Sequence, residues 1–176
     1  MEPDKFYATI GLWIEGLHKY DIHLLLIKPD AKSWSLGQLY QHILGETKWY
    51  FGQIEVSLTD QDHAQIEASE AAKTLFERGS FEDKMIQGDP LNSENVPQPM
   101  SVEELVCDFE KLKNEARRIW NQIQQAKAYG KAEHPGMGFL NCFEWFEYAE
   151  MHMRHHLKQK ARIEYFLRDQ NHWDAS

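Results

Sequence analysis

Two histidines four residues apart are the most chemically informative feature of this sequence. His152 and His156 are spaced so that they lie one turn apart on the same face of a helix. Neutral imidazole nitrogens are common ligands of transition metals, and two histidines at this spacing can bind one ion. Trp145, Ala149 and Ile163 fall on the same line along the chain, so this face is predicted to point into a protein core.

A third histidine, His42, lies on the apolar face of a different predicted helix. A single inward histidine is usually a satisfied core residue, and a pair at four-residue spacing often arises by chance. Inward histidines on two different helices have a common explanation if they share one metal ion. The sequence therefore predicts a metal site formed by His42, His152 and His156, and it identifies no further catalytic residue.

The predicted ligand set indicates which metals and which chemistry to expect. Three imidazoles leave at least one coordination position open, as in catalytic rather than structural zinc sites. A metal held in this way lowers the pKa of a water molecule and polarises a carbonyl or a thiol. Nitrogen ligands favour zinc, nickel, iron or copper over magnesium and calcium. We expect a divalent transition metal, zinc or nickel first, with iron as the alternative.

Several residues near the predicted ligands have roles that the sequence leaves open. Glu46 follows His42 by one helical turn, so it could orient a ligand, act as a base, or be solvated. His134 precedes a proline in the turn before the last helix and is not predicted to be a ligand. Cys107 and Cys142 are interpreted as reduced, buried thiols, because two cysteines are too few for a disulfide framework.

Four long segments with helical periodicity must position these residues, and no segment is predicted to be a strand. Three of these four segments begin with the capping-box pattern, in which a Ser or Asn is followed three positions later by Gln or Glu. A proline ends the first segment, because it cannot continue the helical hydrogen bonds. The predicted helices span Asp4 to Leu25, Ser35 onward, Ser101 to about Ala128, and Asn141 to about Leu167.

The connection between the second and third predicted helices is unusually long. Residues 58–100 contain one shorter predicted helix, from about Ser69 to Arg78, and a Gly/Pro/Asn-rich loop from Gln87 to Pro99. Such a length exceeds what a turn between antiparallel neighbours needs. It predicts a crossover that lets helices two and three run parallel. The expected fold is all-α: a four-helix bundle with a long crossover between helices 2 and 3, forming one domain over residues 1–176.

Composition and charge exclude several classes of partner. The 176 residues are 42% hydrophobic and carry a net charge of −9, with 28 acidic against 19 basic side chains. We expect no nucleic-acid partner and no membrane association, because both would require clustered basic residues. The first residues lack a basic segment followed by an apolar stretch, so no secretory signal is predicted. We expect a cytoplasmic protein that acts on a small molecule and forms a homodimer.

The chain also resembles the DinB-like superfamily of four-helix-bundle proteins over essentially its whole length. The resemblance depends on the segment 34–42, which begins the second helix, and on the segment 134–138, which leads towards Trp145 and the histidine pair. Members of that superfamily commonly hold a divalent metal with one histidine of the second helix and two of the fourth. The matching positions here are His42, His152 and His156. Many members have Arg-Gly-Gln after the last ligand, and this chain has Leu-Lys-Gln, which keeps only Gln159.

The resemblance implies a metal-dependent enzyme of the hydrolase or thiol-transferase type. Two alternatives stay open at this point. The bundle could be a non-catalytic module that binds a small molecule or a metal, or a dimeric interaction protein with structural histidines. The sequence names neither the substrate nor the reaction, because members of one fold carry out many different functions.

Overall fold

The computed structural model describes residues 3–82 and 95–170. Within these ranges the chain forms helices and one short hairpin, and the predicted all-α class is confirmed. The elements in chain order are α1 (Pro3–Leu17), α2 (Ile22–Leu26), α3 (Leu36–Thr59), α4 (Glu70–Arg78), α5 (Val102–Gln125), β1 (Ala132–His134), β2 (Gly138–Leu140) and α6 (Cys142–Asp169).

Helices α1, α3, α5 and α6 form the bundle, and contacts between α3 and α5 show that these two run parallel. The ring of Phe109, early in α5, lies 5.4 Å from the ring of Tyr40, early in α3. Near the other ends, Arg118 donates a hydrogen bond of 2.9 Å to Glu55. The chain must therefore return to the first end of the bundle between α3 and α5. This confirms the predicted long crossover.

Helices α1 and α6 run parallel to each other, because Phe6 contacts Phe146 at a ring distance of 4.9 Å and Tyr20 hydrogen-bonds to Glu164. Aromatic side chains from all four bundle helices fill the core between them. The largest fully buried rings are Phe6, Trp13, Tyr40, Phe51, Phe109, Trp145 and Phe146. No helix in the described part of the chain combines the length and hydrophobicity needed to cross a bilayer.

The predicted end of the first helix is wrong. The periodic pattern predicts one helix from Asp4 to Leu25, but α1 ends at Leu17 and a separate short helix, α2, begins at Ile22. Asp21 causes the restart, because its carboxylate accepts a hydrogen bond of 2.9 Å from the backbone N–H of Leu24 and caps α2. Apolar spacing continues across the break, so periodicity alone does not show it.

The capping box at Ser35 forms as predicted and also fixes the end of the crossover. The Ser35 hydroxyl accepts from the backbone N–H of Gln38 at 3.1 Å, and the Gln38 side chain accepts from the backbone N–H of Ser35 at 3.3 Å. Gln38 also donates to the carbonyl of Val96 at 2.8 Å. A Cβ at Gly37 would lie 2.6 Å from Pro99, so this close approach requires glycine. Residues 96–99 are thereby held against the beginning of α3.

A two-stranded antiparallel hairpin before α6 is the second departure from prediction, since no strand is predicted. Ala132 pairs with Leu140 and His134 with Gly138. Gly138 has a φ of +72°, a conformation that glycine adopts without strain. Each strand has three residues, which is too short for an alternating pattern to be visible in the sequence. In the predicted loop from Gln87 to Pro99, residues 87–94 lie outside the described residues.

Candidate metal site

The three predicted histidines meet between α3 and α6. The ring centroids of His42 and His152 are 5.3 Å apart, those of His42 and His156 are 4.9 Å apart, and those of His152 and His156 are 4.6 Å apart. One nitrogen of each ring lies within 4.8 Å of the corresponding nitrogens of the other two. Because α3 and α6 are antiparallel neighbours, the early turn of α3 faces the middle of α6. The sequence prediction placed these residues together correctly.

A hydrogen bond to Gln159 determines which nitrogen of His156 is available to a metal. His156 Nδ1 lies 2.8 Å from Gln159 Oε1. An amide oxygen only accepts hydrogen bonds, so Nδ1 carries the proton and Nε2 carries the lone pair. Outer partners of this kind orient metal-binding histidines and raise their basicity. Gln159 lies three residues beyond His156, on the same side of α6.

The geometry between His152 and His156 fits a shared metal ion. Their Nε2 atoms are 3.2 Å apart. Two nitrogens at 2.0–2.1 Å from one tetrahedral zinc ion would be separated by about 3.3 Å, which is close to this distance. The Nδ1 atom of His152 is buried and has no hydrogen-bond partner among the residues that the structure describes. If the His156 proton is on Nδ1, the contact between the two Nε2 atoms is a hydrogen bond that His152 Nε2–H donates. Metal binding therefore requires the proton of His152 to move to Nδ1.

Burial keeps these imidazoles neutral, which is the form that binds metals. Loss of hydration lowers the pKa of His42 to about 3, and the nearby His156 lowers it further as the second cause. Burial also lowers the pKa of His156 to about 4, against the opposing effect of the hydrogen bond that His156 donates to Gln159. The pKa of His152 is well below its ordinary value, mainly through burial and then through the neighbouring histidines. Protons therefore compete with a metal only in acidic solution.

The three histidines form part of the wall of a cleft of about 820 Å³. This volume lies in the range of sites that bind small molecules. The cleft is open to solvent on one side, and its other walls are aromatic side chains and a segment of the crossover. These further lining residues include Trp34, Trp49, Tyr50, Phe81, Val96, Pro97 and Tyr148. A metal at the histidines would thus face a space large enough for a substrate.

Glu46 lines the same cleft, one turn along α3 from His42. Its carboxylate accepts a hydrogen bond of 3.1 Å from the Tyr50 hydroxyl, and the Tyr50 ring lies 5.4 Å from that of His152. Burial, and then the charge of Glu46, raise the pKa of Tyr148 above its ordinary value. Both tyrosines therefore stay protonated at neutral pH and can donate hydrogen bonds. Glu46 therefore lies in the wall of the cleft, where it would face a molecule bound there.

His134 also lines the cleft but does not join the three histidines. Its Nδ1 accepts hydrogen bonds from the backbone N–H groups of Gly136 and Met137, at 3.0 and 3.2 Å. Its ring packs 4.6 Å from the ring of Tyr148. Burial lowers the pKa of His134 to about 4, so it is neutral. The Nδ1 lone pair of His134 therefore holds the hairpin turn, and His134 lies outside the group of three histidines.

A buried carboxylate on α6 supports the far wall of the cleft. Glu150 is fully buried and accepts hydrogen bonds from Thr9 at 3.0 Å and from Arg154 at 2.9 Å. Arg154 also donates to the carbonyl of Gly79 at 2.6 Å. This contact holds the end of α4, and the nearby Phe81 ring lies 5.3 Å from that of Tyr148. Neither Glu150 nor Phe81 is identifiable as part of the site from the sequence, because both depend on how the crossover packs.

The two cysteines contribute nothing to the cleft. Cys142 is buried at the beginning of α6, as predicted, and burial raises the pKa of its thiol to about 11. The prediction for Cys107 is wrong, because this residue is exposed on α5. It lies at a position of α5 that is rotated away from the buried stripe of Leu105 and Phe109. The site therefore has no nucleophilic thiol of its own among the described residues.

Comparison with known proteins supports the fold. No protein-family model and no curated protein sequence matches the chain. Among solved structures, the chain is similar to YfiT from Bacillus subtilis, described as a probable metal-dependent hydrolase with an unusual four-helix bundle topology. The TM-score is 0.61 and the identity 13%, over 98% of this chain and 89% of that chain. At this identity the match shows the fold alone, a four-helix bundle.

Proposed function

We propose that this protein is a divalent-metal-dependent hydrolase that acts on a small molecule bound in the cleft. The observation that supports this most strongly is the convergence of three neutral imidazoles on the wall of a cleft of about 820 Å³. The description of YfiT as a probable metal-dependent hydrolase adds support from a protein of the same fold. In this proposal His42, His152 and His156 hold the metal, and Gln159 orients His156.

The chemistry divides between the metal and the side chains of the cleft. A divalent ion held by three histidines would supply Lewis acidity, which lowers the pKa of a water molecule and polarises a carbonyl group. The aromatic walls would bind the apolar part of the substrate and exclude water around it. Tyr50 and Tyr148 would remain protonated, so that Tyr148 could offer a hydrogen bond to a substrate oxygen while the single O–H of Tyr50 is donated to Glu46.

Glu46 is the candidate general base in this scheme. Its carboxylate would accept a proton from the attacking water as the water oxygen bonds to the carbonyl carbon. The same proton would pass to the leaving alkoxide or amine as its bond to that carbon breaks. Tyr50 holds the carboxylate in place through the hydrogen bond of 3.1 Å. Glu46 lies one helical turn from His42 and lines the same cleft, which supports this role.

Turnover by metal-loaded protein tests this proposal. We expect zinc- or nickel-loaded wild type to hydrolyse members of a panel of nitrophenyl esters and anilides. Glu46→Gln should lower kcat about 10²–10⁴-fold and keep its metal, because it removes the base and no ligand. Glu110→Gln, which alters an exposed carboxylate on α5, is the matched control. Failure of the loaded wild type on all esters and amides would refute the proposal, and activity in thiol conjugation alone would indicate a thiol transferase instead.

A further inference from the structure

A small pocket adjoins the cleft on the side of His156 that faces away from Glu46. It encloses about 290 Å³ and shares Trp34, His155 and His156 with the cleft, so the two spaces meet beside the histidines. We call it the side pocket, and its other lining residues are Pro29, Ser33, Gln159, Arg162, Ile163 and Phe166. None of these residues is acidic, in a chain with a net charge of −9.

The polar side chains on the α6 wall of the side pocket offer hydrogen-bond donors. His155, Gln159, Arg162 and Phe166 are spaced by four, three and four residues, so they lie along one stripe of α6. The Gln159 oxygen accepts from His156, which leaves its two amide N–H groups as donors. Arg162 adds up to five N–H donors and a positive charge. The donors of Gln159 and Arg162, beside the apolar side chains of Ile163 and Phe166, favour an anion with an apolar body.

Arg162 has no acidic partner within ion-pair distance among the residues that the structure describes. Other cations on α6 have one: Arg154 pairs with Glu150, and Lys160 pairs with Glu164 at 2.8 Å. Arg162 is exposed to solvent, and with no acidic partner in the described part of the chain its guanidinium is available to a bound anion.

We propose that the side pocket binds the carboxylate group of the substrate, with Arg162 as its principal partner and Gln159 as a second donor. This inference rests on the proposed function and adds the substrate class, a carboxylic acid with an apolar segment. A carboxylate fits one planar guanidinium through two parallel hydrogen bonds. Arg162 is six positions beyond His156, so its Cα lies roughly 9 Å farther along α6.

Binding of a probe acid to the full-length protein tests the proposal without requiring turnover. The probe is 4-phenylbutyrate, and 4-phenylbutyramide is its neutral counterpart. Both are titrated by calorimetry into zinc-loaded protein and into protein freed of metal by a chelator, because a carboxylate could also bind zinc directly. We expect the acid to bind about tenfold more tightly than the amide in both forms, and the difference to shrink at high salt.

Variants of Arg162 supply the decisive comparison. Arg162→Gln should remove most of the preference for the acid, and Arg162→Lys should retain part of it because the charge remains. Lys19→Gln removes an exposed positive charge outside the cleft and should leave the preference intact. Thermal unfolding of each variant checks that it is folded.

Equal affinity for acid and amide in wild type, or an unchanged preference in Arg162→Gln, would overturn the proposal. Tighter binding of 3-phenylpropylphosphonate than of the carboxylate would also overturn it, in favour of a phosphate group. Loss of the preference in Arg162→Gln, in a protein that hydrolyses nothing, would support the carboxylate pocket while the hydrolase proposal fails. The two proposals can therefore fail separately.

Discussion

The hydrogen bond between Gln159 and His156 makes a quantitative prediction about metal affinity. Replacing Gln159 by Leu removes the acceptor that lies 2.8 Å from His156 Nδ1 and keeps a side chain of similar length. The proton of His156 then has no fixed position, and the ring can also turn within the cleft. Both changes reduce the fraction of molecules in which Nε2 presents its lone pair towards His42 and His152.

Loss of such an outer partner typically weakens metal binding 10- to 100-fold. This corresponds to about 1.4–2.7 kcal/mol, a range that includes the value of one hydrogen bond to a polarised group. The lower half of the range is expected here, because His156 is only partly buried and water can replace the amide oxygen in some molecules. Gln159→Glu should keep the acceptor and bind zinc at least as tightly as wild type.

Zinc affinity is measured by competition with a chromophoric chelator at pH 7.5, with Gln124→Leu on the exposed side of α5 as the control. The account predicts wild-type affinity for the control and a roughly tenfold loss for Gln159→Leu. An unchanged affinity in Gln159→Leu, with normal folding, would refute the reasoning. It would mean that the contact is not needed to orient the metal ligand.

Three other predictions concern stability and assembly. The free energy of unfolding of metal-free protein should fall as the pH drops from 6.5, because His42 and His156 have folded pKa values of about 3 and about 4 and take up protons only when unfolded. Each histidine contributes up to about 1.4 kcal/mol per pH unit. Denaturant titrations at a series of pH values should therefore show that the free energy of unfolding depends less steeply on pH in His42→Ala than in wild type. An equal pH dependence in the two proteins would contradict this. Glu150→Ala should lower the free energy of unfolding by about 2–3 kcal/mol, which is less than the loss of a fully buried ion pair because Arg154 is partly exposed. A denaturation midpoint equal to that of wild type would refute the structural role of Glu150. The homodimer stays a prediction, and light scattering after size-exclusion chromatography tests it, with a monomer at all concentrations as the contrary result.

Much of the bundle could be predicted because local chemistry and packing agree along its helices. Ser35 and Asn141 begin α3 and α6 through side-chain caps that are visible as residue spacings. The inward faces of these helices follow from apolar periodicity, which is why His42 and the pair on α6 could be placed in one site. The length of the connection between α3 and α5 predicts their parallel arrangement.

The remaining features depend on tertiary contacts that leave no periodic signal. The break between α1 and α2 interrupts no apolar pattern, and only the capping residue Asp21 marks it. Phe81 and Val96 enter the cleft because Arg154 and Gln38 hydrogen-bond to backbone carbonyls of the crossover. Such contacts join residues that are far apart in the chain, so the cleft and its side pocket become visible only in the folded protein.

The central claim is that His42, His152 and His156 bind one divalent transition metal, and the metal content of purified protein tests it most directly. Wild type, His42→Ala and His155→Ala are purified without a metal-affinity tag, reconstituted with zinc or nickel, and measured by elemental analysis. His155 lies on the same helix, beside His156, but outside the cluster of three. The account predicts about one equivalent of metal in wild type and in His155→Ala, and a large loss in His42→Ala. No metal in wild type after reconstitution, or equal metal in all three proteins, would contradict it.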